Sequence, residues 1–277
     1  MCRFLAYRGV PVAADGLLVR SRYSLRVQSR ASRFKITGPF NEDGYGVGWF
    51  NDDPAPRTFV GTEPAWDSTE LQRVTPAIRS GCWFGHVRAA SPGMEASCEN
   101  AHPFSRRGIL WMHNGLVADF WRMRERMLQY MDETEREAIR GNTDSEVCFA
   151  LFLSLLPRYD GNPVRTMRKL FDLIPQWQHD LAVGGPSYLN FAATNGNWMV
   201  LSRYVTDRDI PSVSLFIAED VYYDETGASI HLMNDGDGGS CVIVASEPLT
   251  EDTCWKEIPP QTLLSIEPSL EIERIAL

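Results

Sequence analysis

Strand signals fill both ends of this chain and helical periodicity fills its middle, and that order constrains the fold more than any single residue does. Residues 2–7, 45–50, 57–61, 82–88 and 108–113 mix β-branched and aromatic residues with glycine and read as strands. Helical patterns follow. Residues 69–80 form a short amphipathic candidate, and residues 116–131 place Phe120, Met123, Met127 and Leu128 at helical spacing. Thr143-Asp144-Ser145-Glu146 fits a capping box at the start of a helix that runs to about Leu156, where Pro157 stops it. Residues 163–177 predict another helix. Strands return at residues 188–194, 197–204, 213–217, 229–232, 241–245 and 263–267. Asn195-Gly196 between two of them is a type I′ hairpin signal. Strands, helices, then strands predict an α+β fold with two antiparallel sheets packed together and helices outside.

Residues 1–277 show no linker or repeat that would divide them, so one domain is expected over the whole length. Lys+Arg 27 against Asp+Glu 36 and a pI near 5.1 argue against a nucleic-acid partner. The basic stretch Arg20, Arg22, Arg26, Arg30, Arg33 and Lys35 is the local exception and reads as a solvated face. The longest apolar run, residues 147–156, falls short of the ~20 residues a spanning helix needs. Arg8 and Asp15 interrupt any secretory apolar region. Cys2, Cys82, Cys98, Cys148, Cys241 and Cys254 are scattered without a CxxC pair. A cytoplasmic, reduced setting is the expectation. The five histidines lack metal-ligand spacing, so neither a metal nor a cofactor is expected.

Chemistry concentrates at a few positions. Removal of Met1 would leave Cys2 with a thiol and a free α-amine on one residue, and an amine of pKa ~7.7–8 is a competent general base. An ordinary residue at a chain start is the alternative. Arg88 ends a predicted strand and offers a fork for a carboxylate, or else forms a surface ion pair. Asn114 and the N–H of Gly115 can stabilise an oxyanion, although Asn-Gly is also a turn dipeptide. Asp144 can receive an ammonium, or simply complement a helix dipole. The glycines of Asn41-Glu42-Asp43-Gly44-Tyr45-Gly46-Val47-Gly48-Trp49 lead into a strand and read as sites of close backbone approach, not as a dinucleotide loop. Asn234-Asp235-Gly236-Asp237-Gly238 fails the calcium-loop spacing and reads as a polar hairpin.

In order along the chain, these blocks resemble the class II glutamine amidotransferase domain of the N-terminal-nucleophile hydrolases. Met1-Cys2-Arg3-Phe4 looks like that family's processed start. Gly85-His86-Val87-Arg88-Ala89-Ala90-Ser91 resembles its G-H-T-R-W-A-T, Asn100-Ala101-His102-Pro103 its N-A-H-P, and His113-Asn114-Gly115 its H-N-G. Thr143-Asp144-Ser145-Glu146 matches its acidic block, and Ser246-Glu247-Pro248-Leu249 looks like a late strand-end motif of its stand-alone members. Ala89 replaces the usual tryptophan, and Pro92 directly follows Ser91 where the family carries a histidine further on.

The resemblance covers roughly residues 2–255 and implies a four-layer αββα sandwich. It implies a Cys2 nucleophile, an oxyanion pair in Asn114 and Gly115, and substrate binding by Arg88, Asp144, His86 and His102. The pattern is similar to short members that act on γ-glutamyl amides in the ergothioneine pathway or in fungal glutathione degradation. Only about twenty residues remain beyond the matched region, too few for a further domain. The implied partners are therefore a γ-glutamyl small molecule and, in an ammonia-delivering or non-catalytic variant, a separate synthase or peptidase subunit.

Overall fold

The computed structural model describes residues 1–34, 40–232 and 239–277. The chain opens with β1 (Arg3–Ala13), a π-helical turn (Gly16–Arg20), α1 (Leu25–Ala31), β2 (Tyr45–Trp49), β3 (Arg57–Gly61), α2 (Thr69–Val74) and β4 (Arg79–Val87). It continues through β5 (Phe104–Arg106), β6 (Ile109–Leu116), α3 (Phe120–Tyr130), α4 (Glu133–Glu137), α5 (Asp144–Leu155) and α6 (Pro163–Asp180). The last third holds β7 (Tyr188–Thr194), β8 (Met199–Arg203), β9 (Phe216–Asp224), β10 (Ser229–Leu232), β11 (Cys241–Ala245), β12 (Trp255–Glu257), β13 (Thr262–Ile266) and β14 (Ile272–Ala276).

One sheet runs β10-β9-β11-β1-β4-β2-β3, with β12 on β9; the other runs β14-β13-β8-β7-β6-β5. Neighbouring strands are antiparallel throughout. Period-2 alternation gives each sheet two apolar faces. In β1, Phe4 and Ala6 meet Leu110 and Met112 of β6 and Leu201 of β8 between the sheets. Leu5 and Tyr7 turn the other way, onto Leu17, Leu18 and Leu25. Trp111, flanked by those two inward residues of β6, faces outward onto Phe149 and Phe152 of α5. Four layers result, helix–sheet–sheet–helix, as expected from the sequence.

Every residue of α5 is buried. The apolar run at residues 147–156 is thus a core helix that is apolar all round. No described helix is long and apolar enough to cross a membrane.

Several boundaries differ from expectation. The helix expected over residues 69–80 stops at Val74, a 3-10 turn (Thr75–Ala77) carrying Pro76 follows, and β4 begins at Arg79. The strand expected over 213–217 lies at Phe216–Asp224, while α1, α4, β5, β12 and β14 carried no sequence signal strong enough to name them. The β7–β8 hairpin forms, but with four connecting residues and a positive φ at Gly196 alone, so the turn is not type I′. The Asn195 side chain accepts from the N–H groups of Asn197 and Trp198 instead. Thr143 caps α5 through Glu146 N–H, but the Glu146 carboxylate accepts from Arg140 and Gly141 N–H, which leaves half a capping box. Gly46 and Gly48 lie in β2 as close-approach sites: a Cβ at Gly46 would stand 2.1 Å from the His102 carbonyl oxygen. In the basic stretch Arg20, Arg22, Arg30 and Arg33 are exposed. Lys35 and the segment Asn234-Asp235-Gly236-Asp237-Gly238 lie outside the described residues.

Candidate active site

The register of β1 against β4 sets Arg3 opposite Val87, which brings Cys2 and Arg88 together where the two strands end. The Cys2 thiol, 8 % exposed, accepts from Ala89 N–H at 3.4 Å and lies 3.6 Å from the Ala89 carbonyl oxygen. Burial pushes the thiol pKa up; the Ala89 backbone, the N-terminal ammonium and Arg88 pull it down, and Asp144 pushes it up.

Arg88 is 3 % exposed and donates to the carbonyls of Met94 and Glu95 at 3.1 Å each, not to a carboxylate. A buried guanidinium held only by neutral carbonyls keeps its charge available to an anionic ligand. Burial lowers its pKa, against the charges of Cys2, Asp43 and Asp144. Glu95 borders an open cavity of about 560 Å³, lined also by Asn100, Arg140 and Asn142 among others.

Asn114 and Gly115 lie within β6, paired with Asn190 and Leu189 of β7, so the turn alternative does not hold. The Asn114 amide donates to Ser246 Oγ at 3.1 Å. A Cβ on Gly115 would stand 1.8 Å from the Tyr188 carbonyl oxygen, so β6 and β7 require glycine there. Asp144 opens α5 with its carboxylate turned back: Oδ2 accepts from Val117 N–H at 2.8 Å and Oδ1 from Ser145 N–H at 2.7 Å. It therefore joins the exit of β6 to the start of α5.

His86 and His102 stack with centroids 4.1 Å apart in the interior, and His86 Nε2 lies 3.2 Å from the His113 carbonyl oxygen. Burial lowers the His86 pKa to about 3 and that of His102 well below the usual range. His113 Nδ1 meets Ser145 Oγ at 2.9 Å and its Nε2 meets Tyr188 O at 2.9 Å. Burial lowers its pKa too, against the field of Asp144 and the Tyr188 carbonyl.

The strand register brings Cys2 and Arg88 together, Asn114 and Gly115 stand on the facing sheet, Asp144 is bonded to the exit of β6, and His86 with His102 forms an interior ring stack. Sequence reasoning passed over Arg3, Asp43, Ser145 and Ser246 as supports of this site. Asp43 receives Ala90 N–H at 2.7 Å, and its position in the glycine-rich segment before β2 was the available signal.

The family model for class-II glutamine amidotransferases matches residues 19–269, a span that starts beyond Cys2. The chain is 33 % identical to the probable glutamine amidotransferase DUG3 of Saccharomyces cerevisiae, over 96 % of this chain and 82 % of that protein. It is 28 % identical to a gamma-glutamyl-hercynylcysteine sulfoxide hydrolase of Mycobacterium tuberculosis, over 96 % and 93 %. Among solved structures, a glutamine aminotransferase class-II domain protein from Silicibacter pomeroyi superposes with a TM-score of 0.67 at 24 % identity, over 99 % of both chains. The glutamine phosphoribosylpyrophosphate amidotransferase of B. subtilis superposes with a TM-score of 0.60 at 16 % identity, over 99 % of this chain and 49 % of that one. These similarities and the shared four-layer fold show that the chain belongs to the class-II glutamine amidotransferases.

Proposed function

We propose that this enzyme hydrolyses a γ-glutamyl amide through Cys2. The observation that carries the reading is the Cys2 thiol on the Ala89 N–H beside the buried Arg88. Met1 is removed, and the Cys2 α-amine becomes the general base. Arg88 clamps the glutamyl α-carboxylate and Asp144 receives the α-ammonium. The thiolate sulfur attacks the γ-carbonyl carbon. A C–S bond forms, the C–N bond breaks, and the leaving amine takes the proton held by the α-amine. Asn114 and Gly115 N–H stabilise the oxyanion, where loss of one donor typically costs ~100–1,000-fold. Water then adds to the thioester, releasing glutamate and restoring the thiol. His86 and His102, expected as substrate-binding residues, are buried and stacked on each other, and they support the site through the His113 carbonyl rather than by reaching substrate. The hydrolase named among the relatives supports water as the acceptor over delivery of ammonia to a separate subunit.

The test is intact mass after exposure to a diazo-ketone glutamine analogue, with glutamate release measured beside it. Expected are loss of Met1, one adduct on Cys2, and neither adduct nor activity in Cys2→Ala. A retained Met1 with full activity, or labelling unchanged in Cys2→Ala, overturns the reading. Arg88→Ala raises KM by at least about tenfold, as loss of a charge-assisted bidentate contact predicts; an unaltered KM refutes the clamp.

A further inference from the structure

Resting on Cys2 as the nucleophile, we propose that Ser246-Glu247 is the positioning element that sets both halves of the catalytic apparatus, the sulfur strand and the oxyanion amide. This dipeptide lies just past β11, beside the start of β1. Ser246 N–H donates to Phe4 O at 3.0 Å, while Ser246 Oγ accepts from Phe4 N–H at 2.9 Å and from Asn114 Nδ2 at 3.1 Å. One hydroxyl therefore joins the nucleophile's strand on one sheet to the oxyanion residue on the other. Among the described residues Asn114 Oδ1 has no hydrogen-bond partner, so the Ser246 contact is what orients that buried amide.

Glu247 acts through Arg3. Both side chains are wholly buried, and Arg3 Nε donates to Glu247 Oε1 at 2.7 Å. Arg3 Nη1 donates to the Cys2 carbonyl at 2.8 Å and reaches the Met1 carbonyl at 3.5 Å; Nη2 donates to Ser32 Oγ at 2.8 Å. The same carboxylate accepts from Ser32 Oγ and, at 2.8 Å, from Arg33 N–H. Glu247 and Ser32 thus hold Arg3 through Nε and Nη2, and its remaining corner, Nη1, grips the peptide of the residue that carries the sulfur. A buried ion pair gives little net stability over apolar residues of similar size, so its use here is geometric: a planar fork fixes a direction. The grip on the Cys2 carbonyl does not depend on Met1.

Steady-state kinetics, Cys2 labelling and thermal melts of Glu247→Gln, Ser246→Ala and the double variant Arg3→Met/Glu247→Leu test this. Glu247→Gln should lower kcat by about 10²-fold, the scale of a 1 Å misplacement, with KM within about twofold of wild type. Its Cys2 should react more slowly with iodoacetamide. Ser246→Ala should lower kcat by at least about tenfold as an oxyanion donor loses its orientation, while iodoacetamide labelling of Cys2 stays near wild type. The double variant removes both buried charges together, so its melting temperature should recover toward wild type while kcat stays low. Folded variants with kcat within threefold of wild type, losses confined to KM, or a double variant whose kcat recovers with its melting temperature would overturn the proposal. A wild-type Cys2 that takes no diazo-ketone fails the underlying reading instead.

Discussion

Gly115 shows how one missing side chain can decide a site. Its Cβ would meet the Tyr188 carbonyl at 1.8 Å and His113 Nε2 at 2.7 Å. Gly115→Ala therefore pushes β6 from β7 and displaces the ring beside the proposed oxyanion donor. The expected cost is about 1–3 kcal/mol in a urea melt, with a loss of kcat larger than the loss of stability explains. Wild-type kcat at wild-type stability would remove Gly115 from the site. Asn-Gly is ambiguous in sequence because one residue pair suits a tight turn and a crowded strand alike. The facing carbonyl decides between them.

At the scale of elements, α5 supports both the core and the site. Its first residue is Asp144, bonded to Val117 N–H, and its body is buried on every side. Phe149 stacks on Trp111 with centroids 5.7 Å apart and on Phe104 at 6.5 Å. Phe149→Ala should cost about 3–5 kcal/mol, read as a lower urea midpoint at unchanged m. A change under 1 kcal/mol would mean the core closes over the gap. The helix was legible because Thr143 and Pro157 punctuate it. Its burial was legible only in part, since a short all-apolar run suits several settings.

For the whole molecule, three buried histidines make stability depend on pH. Burial depresses His86 to about 3 and lowers His102 and His113 as well. Unfolded histidine titrates near 6.5, so above that value both states are neutral and the contribution to stability is fully present. As pH falls below it, the unfolded chain binds protons that the folded chain refuses. Stability is then lost by up to about 1.4 kcal/mol per pH unit for each histidine, until the folded rings also protonate. The melting temperature should be level from pH 7 to 8 and fall below about pH 6.5, less steeply in His102→Leu. A flat profile from pH 7 to 5 would contradict the neutral stack. Glu247 acts lower down: burial raises its pKa, but Ser32, Arg3 and the Arg33 N–H more than offset this, so its contribution is lost in the acidic carboxylate range.

By itself the sequence determined the layer order, the punctuation of α5, the candidate residues Cys2, Arg88, Asn114, Gly115 and Asp144, and the family resemblance. These are local or serial properties: periodicity, caps, breakers and short blocks in order. Tertiary structure decided that Cys2 meets Arg88, because a strand register set it. It decided that Asn114-Gly115 is strand, because a carbonyl of β7 crowds it. It also decided that Glu247 lies on Arg3, 244 residues away. Period and propensity report what one segment prefers, and carry no information on which distant segment supplies its hydrogen bonds.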